Sequence, residues 1–160
     1  MPRSLKLVTL WLLIGTAVFL AVQALQSQAA RSRFSFDASS GTIELQRARD
    51  GHFHWPGTLN GERIEFLVDT GATGTAIPQV LADKLGLRTE GQVRSSTAGG
   101  DVIGALARVD LALDGGPRIE RLRVVVLPQL AAPLLGMDVL SRMSFSQRAG
   151  VLRFEAQGAR

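Results

Sequence analysis

From residue 42 onward, apolar and polar residues alternate with a period of two more often than with the helical period of 3.6. Ile64, Phe66 and Val68 would share one face of a strand, with charged residues between them on the other face. Asn60-Gly61 stands between two apolar runs, which predicts a hairpin with a type I′ turn. The pattern therefore predicts a β-rich domain.

Further strands and two short helices complete this prediction. Residues 101–113 alternate in the same way, and Gly115-Gly116 turns the chain into a second strand over 118–127. Residues 147–155 contain a last turn and strand. Two segments have helical spacing: 78–87, with a proline at its start and Gly86 as C-cap, and 136–143. We expect an all-β domain over residues 42–156 with short helical decorations.

The N-terminal region has a different pattern. Residues 7–25 contain no charge, and their length is close to the ~20 residues that a helix needs to cross a bilayer. Arg3 and Lys6 precede them, which favours a cytoplasmic N-terminus. A cleaved signal peptide is the alternative, although its apolar core usually spans only ~7–15 residues. Both readings place the rest of the chain outside the cytoplasm, after a polar linker over residues 26–41.

Composition narrows the possible functions. The chain is 46% hydrophobic and 20% charged, as in folded domains. Its net charge of +4 could suggest nucleic-acid binding, but the basic residues are scattered. The densest group, Arg118, Arg121 and Arg123, has no aromatic residues between its members, so we expect no nucleic-acid partner. The absence of cysteine excludes disulfides and thiolate chemistry.

One acidic residue breaks the pattern of the strands. In "FLVDTGATGTAIP", residues 66–78, an apolar run ends at Asp69. Burying an ionised carboxylate costs several kcal/mol unless it is paired or hydrogen-bonded. Asp69 could shape a turn or pair with an arginine, and an Asp-Ser/Thr-Gly triplet occurs by chance in about one chain in ten or twenty. The triplet alone is weak support for a catalytic role.

Two further motifs accompany the triplet. Residues 94–104, "RSSTAGGDVIG", have the composition of a mobile hairpin tip, and 133–140, "PLLGMDVL", run from two leucines into a glycine and a short helix. This combination resembles the retropepsin-like aspartic proteases. Residues 50–73, together with the apolar N-terminal segment, resemble its bacterial, membrane-anchored, single-domain branch. The resemblance covers residues 42–156.

The resemblance implies a fold and a site. The fold would be a closed retropepsin-like β-barrel with short helices, in which a hairpin flap covers a bound peptide. The implied site residues are the catalytic Asp69, the supporting Thr70, Gly71 and Ala72, the flap residues Thr97, Ala98, Gly99 and Gly100, and the second structural element Leu134, Leu135 and Gly136.

The resemblance also implies a partner. Aspartic proteases need two carboxylates, and this chain carries one triplet, so the enzyme reading requires a homodimer that supplies Asp69 twice. The two carboxylates would share one proton and activate a water that attacks a peptide bond. We expect an aspartic endopeptidase without a cofactor, in the bacterial inner membrane, with its protease domain in the periplasm. The alternative is a catalytically silent dimerisation or peptide-binding module tethered to the membrane.

The sequence departs from the family at one pair of positions. Retroviral relatives often carry an arginine after the glycine of the second element and an acid shortly after the triplet. Here those places hold Met137 and Thr73-Gly74, which predicts a different packing of the loop. Asp138 could instead pair with Arg142 at i+4, worth only ~0.3 kcal/mol.

Two histidines could suggest a metal site. His52 and His54 are two positions apart and would face the same way on a strand. The chain has no third histidine to complete a set of ligands, so we expect no metal.

Overall fold

The computed structural model describes residues 11–20, 33–97 and 100–155. The chain divides into two units, Met1–Arg33 and Phe34–Arg160. In the first unit, residues 11–20 form helix α1, whose side chains are exposed. Within the described ranges, no helix combines the length and the apolar character needed to cross a membrane. The predicted anchor, residues 7–25, extends past α1 on both sides into residues outside these ranges, so it stays a prediction.

The second unit contains eleven strands and two helices among its described residues. In chain order they are β1 (Phe34–Asp37), β2 (Thr42–Gln46), β3 (His54–Leu59), β4 (Glu62–Val68), β5 (Ala76–Pro78), α2 (Gln79–Lys84), β6 (Gly91–Thr97), β7 (Gly100–Leu113), β8 (Arg118–Leu127), β9 (Leu134–Leu135), α3 (Met137–Leu140), β10 (Ser144–Arg148) and β11 (Val151–Glu155).

The strands form two sheets. One has four strands in the order β1-β2-β11-β10, and the other has seven in the order β3-β4-β9-β5-β8-β7-β6. Strand β3 pairs with β7 as well as with β4, and this second pairing closes the larger sheet into a barrel. The predicted hairpin joins β3 to β4, and Asn60 and Gly61 have φ values of 48° and 84°, as a type I′ turn requires.

The start of the folded unit differs from the sequence-based expectation. Residues 34–37 were predicted to belong to a linker, but they form β1 and pair antiparallel with β2. Phe34 packs on the core, and the ring of Phe36 lies against Gly115, where an added Cβ would come within 2.6 Å of the ring. A strand of four residues is too short to produce a clear alternation in the sequence.

The two sheets meet in a core around Trp55. This side chain on β3 is fully buried, and its ring centroid lies 4.5 Å from that of Phe154 on β11. The indole N–H donates to the backbone carbonyl of Asp114 at 3.0 Å, which satisfies its polar atom. Because Trp55 and Phe154 belong to different sheets, their contact joins the four-stranded sheet to the barrel.

Both predicted helices are present, and both are shorter than their sequence segments. Pro78 is the N-cap of α2 rather than its first helical residue, and the chain leaves this helix through Gly86 at φ 61°. Helix α3 begins after Gly136 and buries Val139 and Leu140, which the sequence places on one face.

Candidate active site

The end of β4 positions Asp69. Strand β4 runs parallel to β9, with Leu67 opposite Leu134 and Val68 opposite Leu135. The backbone N–H of Asp69 continues this pairing by donating to the carbonyl of Leu135 at 3.0 Å. The first triplet residue is therefore fixed to the barrel through its own backbone.

Among the described residues, one donor forms a hydrogen bond with the carboxylate of Asp69. The N–H of Gly71 donates to Oδ1 at 2.9 Å, and a Cβ at Gly71 would lie only 3.2 Å from the same oxygen. Asp69 is half-buried in the single chain, and its neighbours Thr70 and Gly71 are exposed. Strand β4 ends at Val68, so the triplet lies in the loop that follows this strand.

The triplet loop rests on the segment that precedes α3. An added Cβ at Gly136 would come within 2.4 Å of the carbonyl carbon of Gly74, so the two backbones touch here. The N–H of Met137 donates to the carbonyl of Ala72 at 2.8 Å, and that of Asp138 donates to Thr73 at 3.1 Å. The predicted second element therefore lies directly behind the triplet loop, and α3 follows it there.

Sequence reasoning missed Thr75. Its side chain is fully buried, and its hydroxyl donates to Oδ1 of Asp138 at 2.8 Å while accepting the N–H of Gly136 at 3.3 Å. The predicted ion pair between the side chains of Asp138 and Arg142 does not form. Instead, the Arg142 guanidinium donates to the backbone carbonyl of Asp138. The signal in the sequence is a hydroxyl residue immediately before the apolar strand β5, and its role becomes visible only through a partner 63 residues away.

Asp69 opens onto a cavity of about 330 Å³. Phe53 and Phe145 contribute apolar surface to its wall, and Arg47 and His52 contribute polar groups. Larger cavities of about 410 and 570 Å³ lie over the four-stranded sheet, but Asp69 lines neither of them. The smaller cavity is therefore the candidate site, because a reacting group must contact the space in which a substrate would bind.

The predicted histidine pair divides between two environments. The ring Nε2 of His54 lies 2.7 Å from Oδ2 of Asp50, whereas the side chain of His52 is exposed. The backbone N–H of His52, followed by the His54 ring, lowers the pKa of the Asp50 carboxyl. Among the described residues, no three His, Cys, Asp or Glu side chains cluster as metal ligands would.

The predicted flap coincides with a hairpin. Strands β6 and β7 pair antiparallel as far as Thr97 opposite Gly100. Ala98 and Gly99, at its tip, lie outside the described residues. The two arms have the expected topology, and the closing role of the hairpin stays a prediction.

Comparison with known proteins identifies the family. The model of the family described as "gag-polyprotein putative aspartyl protease" matches residues 55–142, more than half of the chain. An uncharacterized Sinorhizobium protein from the cobV 5′ region is 32% identical over 111 residues, covering 66% of this chain and 47% of that protein. An uncharacterized protein of Rickettsia prowazekii is 38% identical over 53 residues, 33% of this chain and 23% of that protein. The chain thus spans half or less of the length of these curated relatives.

A solved structure gives the same result over a longer range. A retropepsin-like aspartic protease from Rickettsia conorii, known from a crystal structure, is 29% identical in sequence to this chain, and the two structures align with a TM-score of 0.59. The similarity covers 77% of this chain and 94% of that one. With the triplet at the end of β4 and the second element behind it, these matches show that the chain belongs to the retropepsin-like aspartic protease family.

Proposed function

We propose that the protein is an aspartic endopeptidase that works as a homodimer and that each copy contributes its Asp69. The observation that carries this proposal is the placement of the Asp69 carboxylate at the cavity. Gly71 holds Oδ1, and Oδ2 receives no hydrogen bond from any other residue in the described part of the chain. A carboxylate whose residue lines a cavity, and whose second oxygen has no partner in the described part of the chain, is available to a water or to a second carboxylate.

A second copy would complete the chemistry. Two carboxylates about 3 Å apart do not both ionise, so they share one proton and titrate as a pair. The ionised member would take a proton from a bridging water as that water attacks the peptide carbonyl. The protonated member would donate to the carbonyl oxygen as negative charge develops there. The reaction needs no cofactor.

The exposure of the triplet supports the dimer. Thr70 and Gly71 are exposed in the single chain, although they belong to the loop that carries the catalytic group. Association through this loop would cover them and would exclude bulk water from the carboxylate pair, which strengthens electrostatic interactions in the site. A C2 axis is the commonest symmetry of soluble homo-oligomers, and it would place the two Asp69 residues opposite each other.

We further propose that the N-terminal segment anchors the enzyme in the bacterial inner membrane, with the folded unit in the periplasm. Helix α1 exposes large apolar side chains, among them Trp11, Leu12 and Phe19. A lipid environment would cover this apolar surface, which is costly to leave in water. The basic residues before it favour a cytoplasmic N-terminus.

The test compares the full chain with Asp69→Asn, both purified in mild detergent. Each is incubated from pH 4 to 7 with peptides derived from whole-cell protein, and new ends are identified by mass spectrometry. We expect cleavage by the wild type and none by Asp69→Asn, because the amide can neither share the proton nor activate the water. Asp83→Asn on the exposed face of α2 is the matched control and should cleave normally.

The rival function gives a different result. If a demonstrably dimeric wild type retains peptides without cutting them, and Asp69→Asn retains the same peptides, the chain is a binding module. Circular dichroism of each variant confirms that a loss of cleavage is not a loss of folding.

A further inference from the structure

The cavity beside Asp69 contains a cation whose role the proposed chemistry does not explain. The guanidinium of Arg47 lies 5.4 Å from the ring centroid of Phe53, and both residues line this cavity. Phe53 is only 7% exposed, so its ring is a fixed surface. A cation that rests on an aromatic face is restrained in position, and Arg suits this stacking better than Lys.

No carboxylate of the described part of the chain forms an ion pair with Arg47. The acids close to it in sequence have other partners: Asp50 accepts from His54 and from the backbone of His52, and Glu44 pairs with Arg153. Asp69 shares the cavity, but no ion pair joins it to Arg47. The guanidinium is therefore free to bind an anionic group that enters the cavity.

The rest of the cavity limits what that anionic group can be. Val68, Phe53, Phe145 and Leu152 supply apolar wall. A volume of about 330 Å³ is near the lower end of the roughly 300–1,000 Å³ of small-ligand pockets, enough for a side chain or two. An apolar stem that ends in a carboxylate matches both the walls and the guanidinium.

We propose that Arg47 is a specificity-determining residue that selects an acidic side chain of the peptide, above all Glu, at a position near the scissile bond. This inference rests on the proposed endopeptidase function for its biological meaning. Arg47 is exposed in the single chain, so its guanidinium is accessible to a ligand. Arg binds carboxylates through paired N–H donors, and such a charged hydrogen bond favours an acid over its amide by about tenfold.

The experiment uses the full chain in detergent and peptides derived from whole-cell protein. At each position within four residues of the cleaved bonds, the frequency of Glu and Asp is divided by that of Gln and Asn. We expect one position at which this ratio is about ten in the wild type and falls to about one in Arg47→Gln. Arg49→Gln, an exposed arginine two residues away that does not line the cavity, is the matched control and should keep the wild-type ratio.

Arg47→Lys separates charge from packing. It keeps the positive charge and loses the paired donors, so it should retain part of the preference, whereas Arg47→Gln loses it. If the wild type cleaves peptides without an acidic preference, or if Arg47→Gln keeps the preference, the inference is wrong and the endopeptidase function stands.

A binding measurement keeps the inference testable if no cleavage is found. The same peptides are passed over immobilised Asp69→Asn protein, with and without Arg47→Gln, and the retained peptides are sequenced. Enrichment of acidic peptides that disappears with Arg47→Gln would support the proposed acidic subsite even though the protease function fails. Equal retention of acidic peptides by both proteins would overturn the inference.

A sedimentation experiment tests whether Arg47 instead binds the second copy of the chain. If Arg47→Gln dissociates the dimer, Arg47 pairs with the second copy and not with the substrate, and the inference is wrong.

Discussion

At the scale of single residues, the geometry around Asp69 is set by its neighbours in the triplet. The N–H of Gly71 approaches Oδ1 to 2.9 Å, and this approach leaves little room for a Cβ at the same residue. The glycine thus orients one carboxylate oxygen and keeps the space beside it open.

Thr75 is the residue whose loss should loosen this site without touching substrate. In Thr75→Val, a buried hydroxyl is replaced by a methyl group of similar size, so Asp138 loses a donor and the N–H of Gly136 loses an acceptor. We expect the free energy of unfolding to fall by about 1–3 kcal/mol. Chemical denaturation followed by circular dichroism measures this.

Thr75→Ser provides the control. It retains the hydroxyl and should recover most of the stability lost in Thr75→Val, at the cost of one buried methyl group, about 1 kcal/mol. Equal losses in the two variants would show that packing, and not the hydrogen bonds to Asp138 and Gly136, accounts for the effect.

At the scale of elements, the site depends on the parallel pairing of β4 with β9. It also depends on the contact between the two segments that follow these strands. Strand β9 has only two residues, and the segment after it begins at Gly136, against the backbone of Gly74. This contact brings the N–H groups of Met137 and Asp138 within reach of the triplet loop. A small backbone contact thus determines where Asp69 is held.

Gly136→Ala should disrupt this arrangement. Its Cβ would lie 2.4 Å from the carbonyl carbon and 2.5 Å from the carbonyl oxygen of Gly74, and a backbone cannot yield as a flexible side chain does. We expect a loss of about 3 kcal/mol in unfolding free energy, measured by thermal or chemical denaturation.

The other glycine of the contact is its matched control. A Cβ at Gly74 meets nothing within 4 Å, so Gly74→Ala should change stability by less than about 1 kcal/mol. A stable Gly136→Ala protein would mean that the two loops lie farther apart than the structure places them.

The sequence predicted those elements whose signal is local. The β3–β4 hairpin, the long strands β7 and β8 and the last hairpin all carry alternation and turn residues over many positions. Strand β1 has four residues, too few to show an alternation, although its partner β2 follows it directly. Strands β5 and β9 have three and two residues, and they exist through pairing with distant segments, which no local pattern reveals.

The same distinction applies to the candidate site. The triplet and the second element were found from the sequence because they are short motifs. The Thr75–Asp138 contact and the placement of Arg47 over Phe53 depend on the folded arrangement. Arg47 and Phe53 lie six positions apart in the loop between β2 and β3, so their contact has no helical or strand spacing to signal it.

At the scale of the whole molecule, one chain offers one carboxylate at the site, and the proposed reaction needs two. An apolar anchor would confine the copies to a plane and would raise their local concentration, which favours association even if the dimer is weak in solution. The exposed Thr70 and Gly71 are where the second copy should be in contact.

The most direct test of the account is the activity of mixtures of wild type and Asp69→Asn. Total protein is kept constant, the subunits are allowed to exchange, and cleavage of a single substrate is measured against the wild-type fraction. If both carboxylates are required, only dimers of two wild-type copies act, so activity follows the square of that fraction and an equal mixture keeps about a quarter of it. An equal mixture that keeps about half of the activity, as independent copies would, or about three quarters, as dimers that need only one Asp69 would, contradicts the shared site.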